Sequence, residues 1–151
     1  NTTINSKEVT IADTFQPEVG YVANGAFYIS KDIELLKSNW EKVLNTNTEL
    51  SVELDDVFIV FESGFYFIRG IDHANYSSSI VQLILIGDKL YEMKTSDGGS
   101  ITSTCSGCME TRSDSNNECS PSFDPNTGYY CTDCSGGTCT KTTTKNGTSI
   151  L

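Results

Sequence analysis

The chain has 151 residues and a formal net charge of −10, set by 10 Lys+Arg against 20 Asp+Glu. A phosphate-binding surface needs clustered basic side chains, and the only arginines are Arg69 and Arg112, so the balance argues against nucleic acid and anionic membranes as partners. A membrane-spanning helix needs roughly 18 to 20 apolar residues in a row, whereas the longest apolar stretch, Ile80 to Ile86, contains Gln82 and is strand-sized.

The length suffices for one ordinary hydrophobic core, but the composition divides near residue 100. The expected organisation is an α+β sheet domain over residues 1–98, followed by a cysteine-rich module and a Thr-rich tail over 99–151. Both parts are acidic: residues 1–100 hold 7 Lys+Arg against 15 Asp+Glu, and residues 101–151 hold 3 against 5. The first residue is Asn1, with no basic segment leading into an apolar run. This fits a signal segment already removed, and equally a trimmed chain.

Residues 1–20 are polar with isolated Val9, Ile11 and Phe15, a pattern that fits an edge strand or a loose arm. Asn24-Gly25 then separates Gly20-Tyr-Val-Ala from Ala26-Phe-Tyr-Ile, and both turn residues readily take the positive φ of a type I′ hairpin. Ser30 is positioned to cap a following helix, with Asp32 and Glu34 near its positive end. Ile33, Leu36, Trp40, Val43 and Leu44 recur at three- and four-residue steps, which predicts one helix over about 31–44.

After Leu50 the period becomes two and the residues β-branched or aromatic. Four strands follow, in Val57–Glu62, Phe65–Arg69, Ser79–Ile86 and Lys89–Lys94. The short connectors Ser63-Gly64 and Gly87-Asp88 suit hairpins, so the expected fold is one helix on an antiparallel β-meander, followed by a small disulfide-stapled cysteine-rich module. Phe58/Val60 and Ile59/Phe61 make alternate positions of one strand apolar, as do Ile84/Ile86 and Leu83/Leu85 of another. Both sheet faces therefore need cover. The helix supplies one; the N-terminal hairpin, the cysteine module or another protein supplies the second.

Ser96-Asp-Gly-Gly-Ser reads as a linker. Beyond it lie all six cysteines, Cys105, Cys108, Cys119, Cys131, Cys134 and Cys139, amid turn residues and few large apolar side chains. Ordering a backbone residue costs about 1 to 2 kcal/mol, so this segment requires a cross-link or a metal. Three disulfides would use every sulfur and typify exported modules. Alternatively Cys105, Cys108, Cys131 and Cys134 form C-x2-C…C-x2-C, able to offer four thiolates to zinc or iron. A redox-active C-x2-C needs a cysteine near a helix N-terminus or a positive charge, and neither Cys-Ser-Gly-Cys nor Cys-Thr-Asp-Cys leads into a helical pattern. Cys119 and Cys139, which the metal set leaves over, and the absence of a local Lys or Arg pattern favour disulfides, with no cofactor. Asp114–Glu118 and Asp124–Gly128 place oxygen side chains at short spacing but lack the full calcium-loop pattern, and read as Asx turns. The tail from Thr140 to Lys145 is β-prone and predicts an exposed strand or a flexible end.

No catalytic set emerges. His73, the single histidine, lies near Asp72 and Ser77 to Ser79, but no nucleophile-elbow motif is present. Asp55-Asp56 reads as a turn or the charged start of a strand. Tyr21, Tyr28, Tyr66, Tyr76 and Trp40 could form a sugar-stacking platform, though Trp40 belongs on the helix's core stripe.

The segments Cys-Ser-Gly-Cys, Cys-Ser-Pro and Tyr-Tyr-Cys-Thr-Asp-Cys-Ser-Gly-Gly-Thr-Cys-Thr-Lys-Thr resemble small cysteine-rich exported proteins of Bacteroidota. With the sheet segment ending in Leu90-Tyr-Glu-Met-Lys, the resemblance spans residues 30–145. It implies a signal-peptide-bearing protein of the periplasm or outer cell surface, with no activity to carry over. The expected function is that of a non-enzymatic accessory or structural subunit that binds an envelope or extracellular protein; the alternative is metal binding or electron transfer through the paired C-x2-C motifs. Intact mass under non-reducing conditions separates these: three disulfides make the chain lighter than its reduced form by six hydrogens, one for each of its 6 cysteines, and leave no thiolate for a metal.

Overall fold

The fold is that of a computed structural model, which describes residues 18–107, 119–133 and 138–151. It is α+β, with one α-helix among the described residues and a predominantly antiparallel sheet. The expectations for residues 1–17 and the Asp114–Glu118 loop fall outside the described residues.

Strands β1 (Gly20–Ala23) and β2 (Ala26–Ile29) form the expected hairpin, with Asn24 at φ 52° and Gly25 at φ 78°. Helix α1 (Ile33–Asn47) follows. Its cap is Asp32, not Ser30: one Asp32 carboxylate oxygen accepts from the amides of Glu34 at 3.0 Å and Leu35 at 3.1 Å. Ser30 is still tied to the sheet by its own amide, which donates to the Val19 carbonyl at 2.9 Å, while its hydroxyl donates to Glu18 at 2.9 Å. Its backbone is therefore committed two residues too early to start the helix. At the far end α1 runs past Leu44, and Asn45 brackets Val52 by accepting from its amide at 2.7 Å and donating to its carbonyl at 2.9 Å.

Strands β3 (Asp56–Glu62), β4 (Phe65–Asp72), β5 (Ser77–Ile86) and β6 (Lys89–Glu92) pair in sequence, all antiparallel. β5 is the shared strand. One edge pairs with β4; the other pairs over Ser77–Val81 with β7 (Ser100–Ser106) and over Leu83–Ile86 with β6. β6 continues to β1 and β2, and β7 to β10 (Thr140–Asn146). The expected boundary at 98/99 thus falls inside one sheet. Ser96 to Ser100 is an ordered turn, in which the Thr95 amide donates to the Gly99 carbonyl at 2.8 Å, and β7 enters the sheet directly after it. The Thr-rich tail forms β10, at the sheet's edge. A second, two-stranded sheet is made by β8 (Pro121–Asp124) and β9 (Gly128–Cys131).

The core lies between α1 and one sheet face. Leu36, Trp40, Val43 and Leu44 of the helix meet Ile59, Ile68, Val81, Leu83 and Leu90, with Val19, Val52, Leu54, Ile150 and Leu151 closing the sides. Gly70 leaves room for the helix, since a Cβ there would stand 3.0 Å from both Trp40 and Leu54 side chains. Where β5 meets β7 the core turns polar. The Trp40 indole N–H donates to Ser79 at 3.2 Å and to Thr102 at 3.1 Å, the two hydroxyls lie 2.6 Å apart, and Thr104 donates to Ser79 at 3.0 Å. All four side chains are buried, and each hydroxyl has a partner, as burial in a low-dielectric interior demands.

The chain's last residues enter the same core. Glu92 is fully buried, and its carboxylate accepts from Ser149 Oγ and the Ile150 amide, each at 2.7 Å, and from the Leu151 amide at 3.1 Å. Glu92→Gln turns one acceptor into a donor facing donors, and leaving a buried hydrogen-bonding group unsatisfied costs about 1 to 3 kcal/mol. Its urea unfolding midpoint should fall by an amount equal to about 2 kcal/mol with an unchanged m-value.

Candidate functional site

The second sheet face carries Phe65, Phe67 and Arg69 of β4, Ile80 of β5 and Cys105 of β7, and the β8–β9 hairpin lies across it. Phe123 packs on Phe65 and Phe67 with ring centroids 5.4 and 5.6 Å apart, and Tyr129 packs on Phe67 at 6.4 Å and on Phe123 at 5.1 Å. Arg69, almost wholly buried, donates to both Glu62 carboxylate oxygens at 3.1 Å and to Ser120 Oγ at 2.7 Å, tying the hairpin's base to the sheet. Of the covers foreseen for the second face, the cysteine-bearing segment is the one found over β4 and β5.

Two disulfides among the described residues add to the attachment. Cys105–Cys131 joins β7 to the end of β9, with Cα atoms 5.8 Å apart, and Cys119–Cys139 joins the residues before β8 and β10, with Cα atoms 5.5 Å apart. The four Sγ atoms all lie within 4.8 Å of one another. Cys105 and Cys119 are buried, whereas Cys131 and Cys139 are half-buried. Cys108 and Cys134 lie outside the described residues, as does any bond they make. The structure therefore brings Cys105 and Cys131 together with Cys119 and Cys139, the two cysteines that the C-x2-C spacing leaves over.

Basic residues approach the cysteine-bearing segments from the sheet. Lys141 stands opposite Cys105 in the β10–β7 register, and its Nζ donates to the Tyr129 carbonyl at 3.0 Å, while Arg69 reaches Ser120, the neighbour of Cys119. Arg69 lies far in sequence from Cys119 and only the tertiary fold reveals it, whereas Lys141 follows Cys139 by two residues and strand pairing adds its place opposite Cys105.

Of the other residues considered for chemistry, His73 and Asp55 come together and the rest take structural partners. His73 is exposed, its Nδ1 and amide both directed at the Asp55 carboxylate, the latter at 2.8 Å. Asp72 is buried and holds the Glu53 amide and Asn75, and Ser79 belongs to the Trp40 network. Trp40 is fully buried and so leaves the aromatic platform; Tyr21 stacks on Tyr28 at 5.1 Å and Tyr66 packs with Phe27 and Phe61. Asp124 makes the expected Asx turn, accepting from the Asn126 amide at 2.8 Å.

A separate feature lies at one pole of the sheet. Because Tyr66 pairs with Leu83 and Lys89 with both Ile86 and Tyr21, the turns at 24–25, 63–64 and 87–88 all point the same way. Beside them are the exposed apolar side chains Phe61 (53% exposed), Phe65 (37%), Leu85 (37%) and Ile86 (38%). The β8–β9 turn joins this pole through the Phe123–Phe65 contact.

No protein-family model, curated protein or solved structure matches the chain. Among the described residues no helix is long and apolar enough to cross a membrane.

Burial between Phe67 and Phe123 pushes the Tyr129 phenol up to about 12, because the phenolate would lose its hydration there. The folded state then holds this proton after the unfolded chain, at about 10, has released it. Stability from this group is whole below pH 10 and lost as pH rises towards 12. Tyr129→Phe should flatten the loss of urea stability measured between pH 9.5 and 11.5.

Proposed function

We propose that the protein is a non-enzymatic accessory or structural subunit, exported to the periplasm, outer cell surface or extracellular space, and that it binds another protein through the hairpin pole of its sheet. The observation that carries this reading is the grouping of Phe61, Phe65, Leu85 and Ile86 beside three adjacent turns. Exposed apolar side chains gathered at one end of a fold mark interaction sites; here Phe61 and Leu85 lie on the α1 side of the sheet's end and Phe65 and Ile86 on the other, and the sheet that bears them is braced by α1 on one face and a cross-linked hairpin on the other. In finer terms the fold reads as a helix-backed meander carrying a stapled module, with the module serving as a brace. Two disulfides among the described cysteines support an oxidising compartment. His73 pairs with Asp55 at the surface, while Asp72 and Ser79 are taken up by separate structural networks, which supports a binding role over a catalytic one. A net charge of −10 suits a partner whose apolar contact surface is ringed by basic side chains.

Metal binding through Cys105, Cys108, Cys131 and Cys134 is the weaker reading of the oxidised protein, because the Cys105–Cys131 bond leaves neither sulfur as a thiolate.

Gentle purification from the native host followed by native mass measurement tests the proposal. The wild-type chain should travel with a second protein, and Phe61→Asp with Ile86→Asp should reduce that association at least tenfold while shifting Tm by only a few degrees, since both side chains are already partly in water. A monomer with nothing bound, or a variant that retains its partner, sinks the proposal.

A further inference from the structure

We propose that Cys105, Cys119, Cys131 and Cys139 form a zinc site when the protein is reduced, so that these four cysteines have two closed states, linked as the Cys105–Cys131 and Cys119–Cys139 disulfides or zinc-bound. A tetrahedral zinc centre with bonds of about 2.3 Å to sulfur places its thiolates about 3.8 Å apart. The four Sγ atoms already lie within 4.8 Å of one another, so small side-chain rotations bring them to that spacing once the sulfur–sulfur bonds are gone.

The cage does not depend on those bonds alone. Thr132 donates its amide to the Ser120 carbonyl at 2.8 Å and accepts from the Ser120 amide at 3.0 Å, which clamps together the residues flanking Cys131 and Cys119. Thr140 and Lys141, next to Cys139, pair with Ser106 and Cys105 in the β10–β7 ladder. Every cysteine of the four thus adjoins or belongs to a hydrogen-bonded strand or bridge. Cys131 and Cys139 are half-buried, which gives an ion a side of approach, while Cys105 and Cys119 form the floor.

Charge also fits. Four thiolates around Zn²⁺ carry a net −2, and Lys141, opposite Cys105 in the ladder, is anchored to the Tyr129 carbonyl beside the cysteine-bearing segments, while the charge of Arg69 is already matched by Glu62. The set shares only Cys105 and Cys131 with the C-x2-C pairs, so it is a different site from the one the sequence spacing suggests. It is independent of the binding pole.

Each disulfide takes two electrons and two protons from a dithiol, which closes to its own disulfide. The four thiols so formed release four protons as Zn²⁺ binds, giving a tetrathiolate centre.

The test uses the full chain, reduced on an immobilised dithiol without oxygen, separated from it, and offered Zn²⁺ alone. Native mass spectrometry should find one zinc per wild-type chain, one in Cys108→Ser/Cys134→Ser, and none in Cys119→Ser/Cys139→Ser. As a check that does not depend on the last variant folding, Co²⁺ in Cys108→Ser/Cys134→Ser should give the intense charge-transfer absorption of a tetrahedral four-sulfur centre, because only the proposed cysteines remain. Failure of the reduced wild type to hold zinc overturns the proposal. So does zinc retained by Cys119→Ser/Cys139→Ser and lost from Cys108→Ser/Cys134→Ser, or a cobalt spectrum of fewer than four thiolates.

Discussion

A sheet whose central strand is apolar on both faces must be covered twice, and the described chain has one helix with which to do it. Strand β5 alternates Val81 and Leu83 towards α1 with Ile80 towards the opposite side, and all three are buried. The second cover is the β8–β9 hairpin, which is too small to hold a core of its own. The dependence is mutual. The sheet lends the hairpin Phe65, Phe67 and the Arg69 guanidinium, and the hairpin returns Phe123 and Tyr129. Two sulfur bridges close loops of 26 and 20 residues around this contact, each of a length worth about 3 kcal/mol in the chain-entropy picture.

This mutual cover explains why one sheet crosses the compositional break near residue 100. The change from Val, Ile and Phe to Ser, Thr and Cys marks a change in how burial is satisfied. Before the break most core positions are filled by hydrocarbon, with Ser79 and Glu92 as polar exceptions. In β7 they are Thr102 and Thr104, fully buried because Trp40 and Ser79 complete their hydrogen bonds. The hydroxyl patch also fixes the helix in rotation: an indole N–H aimed at two oxygens tolerates less slippage than an apolar ring in an apolar pocket.

Much of the fold was legible where a local pattern suffices. Asn24-Gly25 dictated its own turn, the stripe from Leu36 to Leu44 its helix, and the alternation after Val57 its strands. What escaped was set by partners distant in sequence. Nothing local marks Thr102 and Glu92 as buried; Trp40 and residues 149–151 are what enclose and bind them. Ser30 reads as a cap until the Val19 carbonyl claims its amide. The cysteine spacing draws attention to the C-x2-C pairs, while the strand ladders bring Cys105 beside Cys119 and Cys139, and the cations that accompany them come from β4 and β10. The apolar pole was legible only as a surplus of hydrophobic positions; the pairing register gathers it at one end.

The burial of Ile150 and Leu151 gives a segment outside helix and sheet a share of the core. These residues share the helix's pocket with Trp40 and Leu36, and the buried carboxylate of Glu92 accepts three hydrogen bonds from the segment Ser149 to Leu151. Loss of that segment would strip a buried charge of three donors and open the pocket beside Trp40 at the same moment, so helix and sheet are keyed together by residues that belong to neither.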